Sequence, residues 1–219
     1  MGAKKFCTRM IPLLLCLCLC GCVGEQGDND LTLQLRADFL SRTGCSGTMD
    51  LTADYGQRVY EYTVDFSETE KDGLSMVITA PEEVAGITAH ITDGQTALEY
   101  DGIQLETGPL NSDGLSPMDA LSAFFTAMES GYMAETDSEM VGETEVLRIC
   151  CRDPELDPGQ GLETVLWFDK AQKTLLLGEV RSDGTTVIRC KFSAFILQQQ
   201  STNEKGSNEH ESKSETRME

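Results

Sequence analysis

Thr48-Met49-Asp50-Leu51-Thr52-Ala53-Asp54-Tyr55 and, four residues further on, Tyr60-Glu61-Tyr62-Thr63-Val64-Asp65-Phe66 decide the fold. Apolar and polar residues alternate at every step of both stretches. That period buries one face of a strand and leaves the other in water, which is the habit of antiparallel sheets. The pattern continues outward. Leu74, Met76 and Ile78 repeat it, and so do Ile87, Ala89 and Ile91. Asp-Gly pairs at 72–73, 93–94, 101–102, 113–114 and 183–184 punctuate the runs. Both residue types tolerate positive φ, so these pairs favour tight hairpin turns. Further strand-like runs cover 132–139, 143–152, 162–169, 174–181 and 185–196, with a Pro- and Gly-bearing loop at 154–161. The sum is about ten or eleven strands, joined mainly as neighbours in sequence.

Two helices interrupt them. Ser116 followed by Pro117 is a start signal: a capping hydroxyl, then the one residue pre-set for a first helical position. Leu121, Phe124, Phe125 and Met128 follow at helical spacing, and Gly131 ends the run. An apolar face of that size has to lie on a sheet. A second helix is predicted over about 29–41, with Leu31, Leu35 and Phe39 on one stripe. The fold class is therefore α+β.

The chain of 219 residues carries 37 acidic and 17 basic side chains, a net charge of −20. A nucleic-acid binder needs a basic footprint to displace counterions from phosphates, so that class is excluded. The same sign disfavours broad adhesion to anionic lipid.

The start of the chain reads as an address. Lys4, Lys5 and Arg9 precede an apolar run from Met10 to Leu19, about 15 Å of helix and half of what a bilayer core requires. A basic start, a short apolar middle and a small residue before a break describe a secretory signal. The break, Leu19-Cys20-Gly21-Cys22, resembles a bacterial lipobox. Only Cys22 follows a small residue. The resemblance implies cleavage before Cys22 and a diacylglyceryl group on its sulfur. The expected organisation is a signal over 1–21, a lipidated Cys22 and tether over 22–29, a folded domain over 30–197, and a disordered polar tail over 198–219. The location that follows is the extracytoplasmic face of the cell membrane.

The nine cysteines then shrink to four that matter for the domain. Cys45, Cys151 and Cys190 share the apolar phase of their strands. Cys150, between Arg148 and Arg152, points the other way and is read as an exposed thiol. Cys45 and Cys190, on the first and last strands, either form a disulfide, which an oxidising compartment permits, or stay as buried thiols. One of the two histidines, His210, lies in the tail, and His90 falls on the polar phase. No nucleophile–base motif, zinc motif, P-loop or dinucleotide fingerprint is present in the sequence. No catalytic residue, metal ligand or cofactor is assigned. A ligand surface, where there is one, draws on the apolar face: Met49, Leu51, Tyr60, Tyr62 and Trp167. The alternative is that these side chains simply fill a core.

Lipobox, N-terminal helix, antiparallel strands, central helix and further strands together resemble the LolA/LolB-like lipoprotein-carrier superfamily. Thr79-Ala80-Pro81-Glu82, Val84-Ala85-Gly86-Ile87, Leu98-Glu99-Tyr100-Asp101-Gly102 and Gly114-Leu115-Ser116-Pro117 are similar to stretches of uncharacterised and sporulation-associated clostridial lipoproteins of that fold. The resemblance implies a strongly curved, incomplete antiparallel barrel wrapped around its helices, with a concave apolar surface that holds acyl chains in the carriers. A lipid-anchored chain does not shuttle, so the fold carries over and the cargo does not. The expected function is that of a non-enzymatic, membrane-tethered lipoprotein whose half-barrel cleft binds an acyl chain or an envelope protein. The rivals are an adaptor for a cell-wall, spore-cortex type enzyme with a filled core and no ligand, and a hydrolase with an unmarked acidic pair.

Overall fold

The computed structural model describes residues 24–92, 95–106 and 116–199. The signal, Cys22 and the tail beyond Gln199 lie outside them. Within them, helix α1 (Gly24–Leu40) leads into strands β1 (Arg42–Asp54), β2 (Val59–Thr69), β3 (Gly73–Ala80), β4 (Thr88–Thr92), β5 (Gln95–Tyr100) and β6 (Ile103–Glu106). A single 3₁₀ turn (Pro117–Asp119) and helix α2 (Ala120–Ser130) follow. Then come β7 (Met133–Val141), β8 (Thr144–Arg152), β9 (Leu162–Asp169), β10 (Leu175–Ser182) and β11 (Thr185–Gln199).

The eleven strands form one antiparallel sheet in the order β6-β5-β4-β3-β2-β1-β11-β10-β9-β8-β7. Every neighbour is a chain neighbour except β1 and β11, whose pairing joins the two halves. The sheet is curved and does not close, which makes it the incomplete barrel expected. Its terminal strands are β6 and β7, and α2 lies on the connection between them. The turn chemistry is as read: Asp101-Gly102 (φ 52° and 75°) and Asp183-Gly184 (φ 48° and 75°) each close a two-residue hairpin.

Both helices lie on one face of the sheet. Thr32, Leu35 and Phe39 of α1 and Leu121, Phe124, Phe125 and Met128 of α2 are buried there with Met49, Leu51, Val64, Met76, Leu147, Leu166, Phe168 and Ile188. Phe39 meets Phe125, Phe168 and Phe195 at ring separations of about 6 Å. The 3₁₀ turn that leads into α2 is capped by the predicted residue, Ser116 Oγ accepting from Met118 N at 3.3 Å. At the other end, Arg36 of α1 donates to the carbonyls of Met128 (2.9 Å), Ala127 and Gly131. A cation on the terminal carbonyls satisfies acceptors that a helix leaves orphaned and complements its dipole. Arg42, just after α1, grips Glu68 with two bonds (2.7 and 2.9 Å), bonds Glu129 of α2, and lies 4.6 Å over the Phe125 ring.

Two expectations are corrected and one open alternative is decided. Helix α1 begins at Gly24, so most of the stretch 22–29 read as a tether is helical. Its early turns are tied down by Asp28, which accepts from Lys170 Nζ (2.8 Å) and Ser138 Oγ (2.7 Å). Cys150 is buried, at 1% exposure, because the outward face of β8–β10 carries its own small apolar cluster with Val146, Val165 and Trp167. Cys45 and Cys190 stay as separate thiols. They lie on paired strands, but Cys45 faces Leu197 while Cys190 faces Leu51. Six residues of strand separate the two levels, about 20 Å, far beyond disulfide reach.

Gly178 of β10 explains how close α2 comes. A Cβ there would lie 2.6 Å from the Phe124 ring, whose side chain is fully enclosed and has nowhere to swing. Gly178→Ala is expected to destabilise the domain by about 1–3 kcal/mol, the cost of overpacking. Urea denaturation measures it, and an unchanged midpoint contradicts this packing.

Candidate functional site

The residues expected to line a ligand surface divide. Met49 and Leu51 are at most 1% exposed, and Tyr60 and Tyr62 pack partly against the same core. Register brings these four together: Leu51 faces Tyr62 and Ala53 faces Tyr60 across β1–β2. The Tyr60 and Tyr62 rings stack at 6.4 Å, and Tyr55 meets Tyr60 at 6.1 Å. Burial pushes the Tyr55 and Tyr62 phenols up, so they stay protonated donors. Trp167 lies on the opposite face of the sheet, with Val165 and Cys150. β9 reads Val165-Leu166-Trp167-Phe168, apolar at four successive positions, so its phase was not legible. Trp167 Nε1 donates to Glu139, and Arg181 lies 5.9 Å over the ring.

The interior beneath the helices is filled. Met49, Val64, Met76, Leu121, Phe124, Met128, Leu147, Ile149, Leu166 and Phe168 are all at 0% exposure. A side chain with no accessible surface has no water-sized space beside it, neither cleft nor closed void.

The apolar inner face continues past the helices at one edge. Leu98 faces Leu105 and Tyr100 faces Ile103 across β5–β6, and this row follows Ala89, Met76 and Phe66 along the sheet. Here the cover stops. Tyr100, Ile103 and Leu105 are 53%, 73% and 63% exposed. They sit at a terminal strand whose outer row of backbone N–H and C=O groups has no strand beside it among the described residues. Sequence reading missed this strip, although Ile103 and Leu105 alternate with Gln104 and Glu106 in the same period-two signal. Four residues are a short run to notice.

The outward face of the other half is a roof of ion pairs over the Trp167 cluster. Arg148 and Arg152 both reach Glu135 (3.3 and 2.7 Å). Glu179, 2% exposed, receives Arg181 (2.6 Å), Arg189 (2.7 Å) and Thr186. Burial opposes ionisation of Glu179, but these hydrogen bonds outweigh it and hold the carboxyl below its usual range.

Nucleophile chemistry is poorly served by these groups. Burial pushes the Cys45 thiol up to about 12 and Cys151 to about 11, and drives Cys190 upward as well. A thiolate is the reactive form, and none of these sites supports one. His90 is half-buried beside Glu99 at 3.5 Å. Among the described residues no cluster of three His, Cys, Asp or Glu side chains is placed to hold a metal ion. None of their helices is long and apolar enough to cross a membrane.

Glu179→Gln is expected to cost about 1–3 kcal/mol at neutral pH, because Arg181 loses its charged partner. A lowered folded-state value means that the carboxylate's contribution is present above the ordinary glutamate value of 4.5 and is lost as pH falls through the folded value. The gap between wild type and variant should therefore close in acid. Denaturation at neutral and acidic pH tests this, and a pH-independent gap refutes it.

No family model and no curated protein matches the chain. Solved structures share its course at low identity. An uncharacterized conserved protein from Thermus thermophilus is 10% identical over 78% of this chain and 88% of its own, with a TM-score of 0.45. A putative outer membrane lipoprotein-sorting protein domain from Vibrio parahaemolyticus is 14% identical over 77% and 91%, at 0.44. A LolA superfamily protein from Nitrosomonas europaea is 9% identical over 79% and 94%, at 0.38.

Proposed function

We propose that this chain is a membrane-tethered, non-enzymatic adaptor that docks an envelope protein on the β5–β6 edge of its half-barrel. The observation that carries the reading is the contrast along the inner face. Its centre is closed by the protein's own phenylalanines and methionines, and its β6 end shows Tyr100, Ile103 and Leu105 to solvent. A filled centre supports the adaptor over an acyl-chain carrier, because an acyl chain needs a continuous apolar channel and gains about 0.8 kcal/mol per methylene only where it is enclosed.

An edge strand with open backbone groups and alternate apolar side chains recognises an added strand: main-chain bonds supply affinity and the side chains select. The charge selects further. Asp101 sits at the turn beside the strip, and the whole chain is strongly acidic. The partner is accordingly a protein with an extended apolar segment flanked by basic residues. The chain's attachment to the membrane is assigned to lipid on Cys22.

Three measurements test the reading on the full chain expressed in cells. Radiolabelled palmitate should enter the wild type and not Cys22→Ser. Mass spectrometry of the purified, denatured protein should show no stoichiometric lipid beyond the covalent one; a bound fatty acid or phospholipid would favour the carrier. A photocrosslinker at position 103 should trap one discrete protein, and Leu105→Lys should abolish that adduct. Adducts insensitive to Leu105→Lys count against the edge.

A further inference from the structure

The way α1 is pinned to the sheet fixes which end of the domain meets the bilayer. Taking Cys22 as the lipidated residue, as in the preceding section, the start of α1 at Gly24 lies two residue steps further on. Fully extended, they span about 7 Å. Four residues of helix, about 6 Å, lead from Gly24 to Asp28. Asp28 is held by Ser138 of β7 and by Lys170 in the β9–β10 turn, and Lys170 also reaches Glu145 at the start of β8 (2.8 Å). The anchored sulfur is thus leashed to the corner where the β7–β8 and β9–β10 turns meet.

Direction follows from a second contact. Asp28 bonds Ser138, whereas Arg36, two turns further along α1, bonds Gly131, just before β7. Helix α1 and strand β7 therefore run in opposite senses, and the helix start points toward the β7–β8 turn. Val141 is three residues past Ser138, about 10 Å. The turn itself is two residues, Gly142 (φ 64°) and Glu143, with Val141 paired to Thr144. At its tip the apolar side chains of Met140 and Val141 are 61% and 47% exposed.

The opposite rim is different. It holds the β8–β9 and β10–β11 connections, with Asp153, Glu155, Asp157 and Asp183. Asp183 N donates to Gly161 O there, tying two of the loops together. At the anchored corner Lys170 and Lys173 stand among the acids. An anionic surface repels the strongly acidic rim and tolerates the mixed one.

We infer that the β7–β8 hairpin tip, Met140 and Val141, rests in the headgroup region of the same bilayer that holds the Cys22 lipid, while the acidic rim of the sheet faces away. The contact is shallow. Two apolar side chains enter the interface, and Glu143 with the negative body keeps the sheet above it. Its role is orientation: a lipid at one point leaves the domain free to swivel, and a second point of contact stops it.

Full-length, lipidated protein in vesicles of phosphatidylethanolamine and phosphatidylglycerol tests this. An environment-sensitive bimane is placed on Val141→Cys or, in a separate sample, on Asp157→Cys. The native cysteines Cys45, Cys150, Cys151 and Cys190 are buried and do not compete for label. Brominated lipid should quench the label at 141 several-fold more than the label at 157, and the spectrum at 141 should shift to the blue. Adding Met140→Asp should reduce the difference. Equal quenching at the two positions, or stronger quenching at 157, overturns the orientation. The mass of the Cys22 peptide from the same sample separates the two ideas: a lipidated peptide with equal quenching sinks the orientation alone, and an unlipidated peptide sinks the anchor and the orientation with it.

Discussion

An antiparallel sheet that bends but does not close leaves its inner apolar face open, and covering that face is the requirement everything else in this molecule serves. A closed barrel would cover it with its own strands. Here the job falls to two helices, one entering the sheet and one crossing between its terminal strands. The chain order permits it. Strands β1 to β6 lay down one half, α2 passes over the face from the β6 edge to the β7 edge, and β7 to β11 complete the other half until β11 pairs with β1. The cover is then fastened at its ends by cations. Arg36 closes the C-terminus of α2, and Arg42 ties the α1–β1 junction to Glu68 on the sheet and Glu129 on α2. Removing either leaves the apolar contact area in place but frees a helix end, so these residues fix where the helices lie more than how strongly they bind.

What the sequence showed and hid follows from how many faces a strand buries. β1 to β4 bury one face, so Met49, Leu51, Val64, Phe66, Met76 and Ala89 announced themselves by alternation, and the Asp-Gly turns marked where one strand gives way to the next. β8 and β9 bury both faces, because Cys150, Val165 and Trp167 form a second layer outside. Alternation vanishes there, and with it any means of deciding which way Trp167 points or whether Cys150 is covered. The arginine clasps were hidden for another reason. Arg36 lies 92 residues from Met128 O and Arg42 87 residues from Glu129, and no local pattern reports a contact over that span. Gly178 was equally silent, since a glycine in a strand tells nothing of the ring pressed against it.

The filled interior changes what the fold is good for. A concave sheet invites a ligand only where its own side chains leave space, and here Phe39, Phe124, Phe168 and Met128 occupy the hollow. Affinity for a partner then has to come from the margins, where the cover ends. The β6 margin offers apolar side chains and backbone groups together. The β7 margin is different in kind. Its strand carries Glu135, Asp137 and Glu139 outward, all engaged by Arg148, Arg152 or Trp167. Its row of charges is a poor template for a second strand, which is how natural edges avoid unwanted pairing. Among the described residues one edge is open to pairing and the other is guarded, so a strand-adding partner would be taken on a single side.

The short leash gives that asymmetry a consequence. With lipid on Cys22, only Val23 would separate the anchored residue from a helix already bound into the sheet, so the domain would lie against the membrane and have no length of chain with which to search. Any partner would have to come to it, or be held at the same surface. That is a poor arrangement for carrying cargo between membranes and a suitable one for holding a protein at a fixed height. The height would be set by the sheet itself. Strands of eight to fifteen residues, as in β9 and β11, span roughly 25–50 Å from rim to rim. Loops on the acidic rim would then reach away from the lipid surface by the length of a strand, with no linker involved.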